Sequence, residues 1–331
     1  MKLFFLLVAF VWLPDFCNGQ CDAGTYLSGF SCTQCSAGYS CAGSLWPPAE
    51  CASGTYSTAG ASVCTTCPSG SFCPAANLLP VSEATSTAID RASIVSLAKL
   101  SDLVYNVTQS YASSTFLIAS HFVAHTLGIV TLSDDKSTII AVFRGTNLAA
   151  PDDKLANPAN LIQDITAMVV AYSACSNCYI HYGFLTAYNT IISQMKANVK
   201  TLQSSFPSAT KLVVTGHSLG GAMATLFAMD LLVNEKASGV SLVTFGSPRV
   251  GNEAFSQFTN SRISGTNWRV TYDNDMITVL PLVLMGFKHV GAEVHYVPSG
   301  GGHYFLLPVG VDVEYIRANL LDHSSYFTMT A

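Results

Sequence analysis

The sequence predicts an α/β fold: a mostly parallel sheet flanked by helices, with a small disulfide-rich module in front of it. Three observations carry this. Apolar runs of strand length alternate with longer segments of helical periodicity from residue 89 onward. One of those runs, Lys211-Leu212-Val213-Val214-Thr215, passes through Gly216-His217-Ser218-Leu219-Gly220 into an apolar helix-forming stretch. The first 74 residues instead hold a cysteine repeat that is too small to build a core of its own.

The elements follow in chain order. Residues 88–111 place apolar side chains near helical spacing at Ile89, Ala92, Val95, Leu97, Leu100 and Val104. Residues 128–132 and 138–143 read as a hairpin around Ser133-Asp134-Asp135-Lys136. Residues 186–206 read as a helix closed by Pro207. Residues 239–245, 268–272 and 292–297 read as buried strands, and 312–320 as a last helix. Strands alternating with helices indicate a largely parallel sheet.

Composition narrows the function. The chain has 331 residues, a net charge of −5 and 11% charged residues, with no basic run. Nucleic acid is therefore not an expected partner. A charged start, Met1-Lys2, leads into an apolar stretch from Leu3 to Leu13 and small residues near Asn18-Gly19. Residues 1–19 read as a secretory signal peptide, too short in its apolar part to span a bilayer. The chain is thus expected outside the cell or in the lumen of the secretory or endolysosomal pathway. Asn106-Val107-Thr108 is a glycosylation sequon.

Of eleven cysteines, Cys17 falls in the signal segment. Cys21, Cys32, Cys35, Cys41, Cys51, Cys64, Cys67 and Cys73 form two copies of one pattern. Cys21-x-x-Gly24-Thr25-Tyr26 recurs as Cys51-x-x-Gly54-Thr55-Tyr56. Each copy continues into a C-x-x-C pair and a further cysteine six residues on. Units this small need crosslinks. The paired spacing also suits zinc, but an oxidising compartment favours disulfides, whose connectivity spacing alone leaves open. The spacing resembles ephrin-receptor-like and TNF-receptor-like modules, which implies a role in binding a surface or protein. Residues 20–74 form this module, 75–88 an Ala/Ser/Thr/Pro-rich linker, and 89–331 the α/β domain.

The chemistry centres on Ser218. A G-x-S-x-G turn between strand and helix is a nucleophile elbow. Glycines at 216 and 220 allow the strand and helix to approach, and the serine takes a strained conformation at the tip. The N–H of Leu219 at the helix start is placed for an oxyanion. A serine hydroxyl also needs a base and an acid to orient it, in the chain order Ser, acid, His. His289, His295, His303 and His323 lie downstream, and Asp273 and Asp275 are candidate acids.

Six motifs then occur in one order: Phe143-Arg144-Gly145-Thr146, His181-Tyr182-Gly183-Phe184, Gly216 to Ala222, Phe245-Gly246-Ser247-Pro248-Arg249-Val250-Gly251-Asn252, Asp273 to Pro281, and Leu321-Asp322-His323-Ser324-Ser325-Tyr326-Phe327. This pattern resembles the class 3, fungal-type lipases. The resemblance spans residues 89 to 327 and implies an α/β-hydrolase fold. By position it implies Ser218 as nucleophile, Asp275 as acid and His323 as base, with Thr146 and Leu219 forming the oxyanion hole. It implies a carboxylic ester hydrolase, most simply a secreted triacylglycerol lipase, that needs no cofactor and no metal. Its partner would be a lipid or other ester substrate at an oil–water or membrane interface. Feruloyl or carboxyl esterase and phospholipase A1 are the alternatives within this chemistry. A secreted binding protein with a disabled hydrolase domain is the alternative outside it.

The family carries a lid between Thr146 and His181. Here residues 147–164 contain Pro151 and Pro158, which limit any helix to a turn or two. Leu148, Leu155, Leu161 and Ile162 offer an apolar face, and Asp164 is expected to help position Thr146. Secreted relatives imply a local disulfide between Cys175 and Cys178. Leu280, Leu282, Val283, Leu284, Met285 and Phe287 are the candidate substrate-binding wall for an acyl chain. His217 is expected to pack and hydrogen-bond behind the elbow, His181 to fix a turn, His289 and His295 to be structural, and Arg144 and Arg249 to brace loops.

Overall fold

The structure is a computed structural model. It describes residues 21–28, 31–43, 47–52, 54–69, 71–73, 81–121, 124–146, 168–298, 302–310, 312 and 319–330. The signal segment, the lid segment 147–164 with Asp164, and most of the expected helix 312–320 lie outside the described residues. The chain divides into two compact units, Met1–Ser82 and Glu83–Ala331.

The first unit is built from two-stranded ladders. β1 (Thr25–Ser28) pairs with β2 (Ser31–Gln34), β3 (Tyr39–Ser40) with β4 (Ala49–Glu50), β5 (Thr55–Tyr56) with β6 (Thr65–Thr66), and β7 (Ser71–Phe72) with β8 (Val81–Ser82). Disulfides join neighbours in sequence: Cys21–Cys32, Cys35–Cys41, Cys51–Cys64 and Cys67–Cys73. The buried side chains here are mostly these cysteines, so crosslinks replace an apolar core. Both C-x-x-G-T-Y glycines take a positive φ, +91° at Gly24 and +81° at Gly54, and at Gly24 a Cβ would also collide with the Gly60 backbone.

The second unit holds an eight-stranded sheet. Its strands are β9 (Phe116–His121), β10 (Thr126–Leu132), β11 (Thr138–Phe143), β14 (Lys211–His217), β15 (Val240–Phe245), β17 (Asn267–Tyr272), β19 (Ala292–Val297) and β20 (His303–Leu307). The order is β20-β19-β17-β15-β14-β11-β10-β9. The five central strands, from β11 to β19, are parallel, and the outer ones are antiparallel. A smaller antiparallel sheet joins β12 (Val169–Ala171), β13 (Tyr179–His181), β16 (Gly251–Asn252) and β18 (Phe287–Lys288). Cys175 and Cys178 are bonded in the turn between β12 and β13.

Helices cover both faces of the large sheet. α1 (Arg91–Leu103) is capped by Asp90, which accepts from the Ser93 N–H at 3.0 Å. It packs in one cluster with Ile129, Val142, Phe245, Val270 and Tyr326. The remaining helices share the other cluster. α2 (Tyr182–Ser205) starts four residues earlier than the apolar pattern suggests, because the His181 ring caps it by accepting from the Phe184 N–H at 3.3 Å. α3 (Leu219–Val233) is apolar on all sides and almost wholly buried, with Phe227 edge-on to Phe143 at 5.3 Å. α4 (Glu253–Arg262) is capped by Asn252. Asn106 of the sequon is exposed in the turn after α1. Among the described residues no helix is long and apolar enough to cross a membrane.

Candidate active site

β14 ends in the expected elbow. Ser218 has φ 58° and ψ −130°, a left-handed conformation costly for a side-chain-bearing residue, and is 3% exposed. Its N–H donates to the Phe245 carbonyl of the neighbouring strand at 2.9 Å. A Cβ at Gly216 would run into the Gly220 backbone, and one at Gly220 into Phe143 and Arg144. The two glycines therefore let strand, turn and helix close to backbone contact. Leu219 is the first residue of α3, so its N–H has no intrahelical acceptor and remains available beside the serine.

Thr146 follows β11 and is buried. A Cβ built on Gly145 would reach 3.0 Å from the Ser218 Cβ, so the residue before Thr146 lies directly against the serine. The Thr146 hydroxyl has no hydrogen-bond partner among the described residues. The Thr146 hydroxyl and the Leu219 N–H are thus both near the serine and both without a partner among the described residues.

Asp275 and His323, 48 residues apart, meet in the interior. The His323 Nδ1 lies 3.0 Å from Asp275 Oδ1 and 2.9 Å from Oδ2. The carboxylate also accepts from the Tyr326 hydroxyl at 2.6 Å and the Ile277 N–H at 2.9 Å. Burial alone would raise the carboxyl pKa. The facing His323 charge and these donors outweigh burial and hold Asp275 below its ordinary value. His323 Nε2 is buried and makes no hydrogen bond to the described residues, and none joins it to the serine hydroxyl. Nucleophile–base bonds are often loose in a free enzyme and tighten around substrate.

Gly246, in F-G-S-P-R, has φ +55° and runs beneath the pair. A Cβ there would come within 3.0 Å of Asp275 Oδ2 and 3.1 Å of the His323 ring. The histidine loop is tied to the acid loop by Asn319 N–H to the Asn274 carbonyl at 3.0 Å and by Asn274 N–H to Asp322 Oδ2 at 3.0 Å. Asp273 lies at positive φ outside the pair, and its Oδ1 accepts from Asn274.

The other sequence-marked residues serve the frame. Arg249 is buried and ion-paired with Asp312 at 2.6 Å, and donates to the carbonyls of Val279 and Pro281. His289 Nε2 meets the Thr278 carbonyl at 2.6 Å, and His295 Nδ1 meets the Thr271 hydroxyl at 2.9 Å. Arg144 donates to the His125 carbonyl at 2.5 Å. The candidate acyl wall does not form one surface. Leu280 packs against the core and Phe287 is buried, whereas Leu282, Leu284 and Met285 are exposed and Val283 is half-buried. Met285 and Phe287 border a surface cavity of about 300 Å³ with Val169, Tyr179, Asn252 and Glu253. Among the described residues no group of three His, Cys, Asp or Glu side chains is arranged to hold a metal ion.

Two residues of the site went unmarked in the sequence. Tyr326 touches Asp275, and its only sequence signal is its place in D-H-x-x-Y-F. Tyr105 touches His217 and carries no local signal.

The chain is similar in sequence and in fold to known proteins. Residues 140–285 match the lipase (class 3) family. The chain is 36% identical over 178 residues to a lipase of Rhizomucor miehei, covering 53% of this chain and 46% of that protein. It is 39% identical over 126 residues to secreted mono- and diacylglycerol lipase 1 of Fusarium solani, covering 38% and 36%. The chain spans about half the length of the curated lipases it matches from Rhizomucor and Rhizopus. Among solved structures, the Rhizomucor miehei lipase in its propeptide complex superposes with a TM-score of 0.65 at 28% identity, covering 78% of this chain and 85% of that one. A triacylglycerol lipase whose catalytic centre is a serine protease triad superposes at 0.59 and 28% identity, covering 75% and 97%. The second unit has the α/β-hydrolase fold of these lipases.

Proposed function

We propose that this chain is a secreted serine ester hydrolase that cleaves fatty esters, triacylglycerols foremost. The observation that carries the proposal is the buried His323–Asp275 pair, stacked on His217 next to the strained Ser218, with the far nitrogen of His323 unengaged among the described residues. Ser218 Oγ attacks the ester carbonyl while His323 Nε2 takes its proton. The Leu219 N–H and the Thr146 N–H and hydroxyl hold the oxyanion of the tetrahedral intermediate. His323 then returns the proton to the leaving alcohol, leaving an acyl-enzyme on Ser218. Water, deprotonated by the same imidazole, releases the acid. Asp275 keeps Nδ1 protonated and stabilises the imidazolium.

Exposed apolar side chains favour an aggregated fatty substrate. Leu284 is 93% exposed, and Leu282, Met285, Met168 and Val169 are also exposed. The cysteine-rich unit fits the part of a targeting module. Secretion fits the signal-like start and the secreted relative.

The test is a substrate panel on the secreted protein and its Ser218→Ala variant. Long-chain triglyceride should be cleaved in preference to methyl ferulate, and the variant should lose several orders of magnitude in kcat. Preference for the ferulate would reassign the substrate. Undiminished hydrolysis by the variant would remove the mechanism.

A further inference from the structure

A hydrogen-bonded chain runs behind the serine, from a helix on one face of the sheet to the loop that carries the base. The Tyr105 hydroxyl, from the turn after α1, lies 2.8 Å from His217 Nδ1. His217 Nε2 lies 2.7 Å from the backbone carbonyl of His323. A carbonyl only accepts, so Nε2 carries the ring proton. A neutral imidazole then has its lone pair on Nδ1, where the Tyr105 hydroxyl donates. The tautomer is therefore set from both ends. The two imidazoles also stack, with ring centroids 4.6 Å apart at 35°. Phe327 and Tyr326 close the remaining sides of His217 at 5.1 and 5.4 Å. A Cβ on Gly145 would run into the Tyr105 hydroxyl, so the residue before Thr146 packs directly against the same chain.

We infer that His217 is a positioning residue: it holds the backbone of His323 so that the unengaged Nε2 faces Ser218, and Tyr105 fixes the tautomer that lets it do so. The inference rests on the ester-hydrolase reading above. Such a device adds to the ties that already hold the loop through Asn274. His323 sits in a short 3-10 turn, Leu321–Ser324, near the end of the chain. Asp275 fixes its ring through Nδ1, but a ring held at one nitrogen can still swing about that bond. Holding the carbonyl from behind removes that freedom. His217 can stay in this role across the working pH range. Burial, and then the charge of His323, depress its pKa to about 3, so it remains neutral while His323 gains and loses a proton. A protonated His217 would carry a second donor at Nδ1 and lose the bond from Tyr105.

Two isosteric variants separate this role from simple packing. His217→Gln places an N–H near the Nε2 position and keeps the bond to the His323 carbonyl. His217→Asn places its amide near Nδ1, meets Tyr105 and abandons His323. On p-nitrophenyl butyrate, His217→Asn should lose about 10- to 100-fold in kcat with KM within about twofold. His217→Gln should stay within about threefold of the wild type. Tyr105→Phe should lower kcat severalfold with His at 217 and should lower it less in the Gln background, where no tautomer remains to set. A second readout needs no turnover. The downfield proton NMR signal of His323 Nδ1–H, held by Asp275, should persist in the Gln variant and broaden or vanish in the Asn variant.

Equal kcat for the Asn and Gln variants, a loss confined to KM, or an unchanged Nδ1–H signal in His217→Asn would overturn the inference. If either 217 variant fails to fold, Tyr105→Phe with unaltered kcat and signal overturns it alone. Failure of the underlying reading looks different: Ser218→Ala would retain activity. A dead Ser218→Ala beside a fully active His217→Asn would spare the reaction and reject only the role of His217.

Discussion

The Tyr326 hydroxyl donates to Asp275 Oδ2 at 2.6 Å, on the same carboxylate that holds His323 Nδ1 at 2.9 Å. One acid thus collects a ring N–H, a phenol and a backbone N–H in a fully buried position. This arrangement keeps Asp275 ionised against the cost of burial, and it predicts how the site fails when each donor is removed.

Asp275→Asn removes the charge and, through its amide, favours the wrong tautomer of His323. The corresponding change in trypsin-type triads costs about 10⁴-fold in kcat, and a loss of that order is expected here. Tyr326→Phe removes one neutral donor to a charge and leaves the Tyr272 N–H without its acceptor. A loss of about 1.5–3 kcal/mol in stability is expected, with a smaller fall in kcat than for Asp275→Asn. Urea unfolding and steady-state kinetics on both variants check the order of the two effects.

Arg249→Met should destabilise the second unit strongly. The guanidinium is buried, pairs with Asp312 and holds the carbonyls of Val279 and Pro281. Burial opposes the charge on Asp312, yet His289, Arg249 and Arg269 hold its pKa far below the usual carboxylate range. Removing the arginine strands a buried carboxylate, at a cost of about 3–5 kcal/mol. The double change Arg249→Met with Asp312→Leu should recover much of that loss. Chemical denaturation of the three proteins measures the coupling.

Stability should fall as pH drops below about 6.5. His217 and His289 are both buried and neutral, and burial first of all lowers each to about 3. Between that value and the unfolded value of about 6.5 the unfolded chain binds more protons, so acid favours unfolding. Each histidine contributes a slope of about 1.4 kcal/mol per pH unit across that window. The depressed carboxyls of Asp275 and Asp312 act at lower pH: their contribution is present above about pH 4 and is lost as the solution is acidified further. A Tm series from pH 7 to pH 4 should show the decline, and His289→Asn should flatten its upper part.

The sequence carried the elbow because that signal is local. A strand, two glycines and an apolar helix must be adjacent in the chain for Ser218 to adopt φ 58°. It also carried the five parallel strands, whose buried faces demand apolar runs. The antiparallel strands β9 and β20 went unread, as did α4, where Phe255 is the one apolar residue among the three that are buried. The pairing of the eight module cysteines needed coordinates, since spacing alone allows many connectivities. The roles of Tyr105 and Tyr326 were equally out of reach, because their partners lie 112 and 51 residues away. The apolar run from Leu280 to Phe287 was visible, but its division between core and surface was not. Arg249 sets that division by gripping the carbonyls of Val279 and Pro281, and it leaves Leu282, Leu284 and Met285 turned outward.

The most direct measurement is covalent labelling of the secreted protein with a fluorophosphonate, followed by peptide mass spectrometry. A nucleophile activated by His323 and Asp275 should give one stoichiometric adduct, on the peptide containing Ser218. The adduct should be absent in Ser218→Ala and formed far more slowly in Asp275→Asn. No adduct on a folded, secreted protein, or an adduct on another serine, would contradict the account.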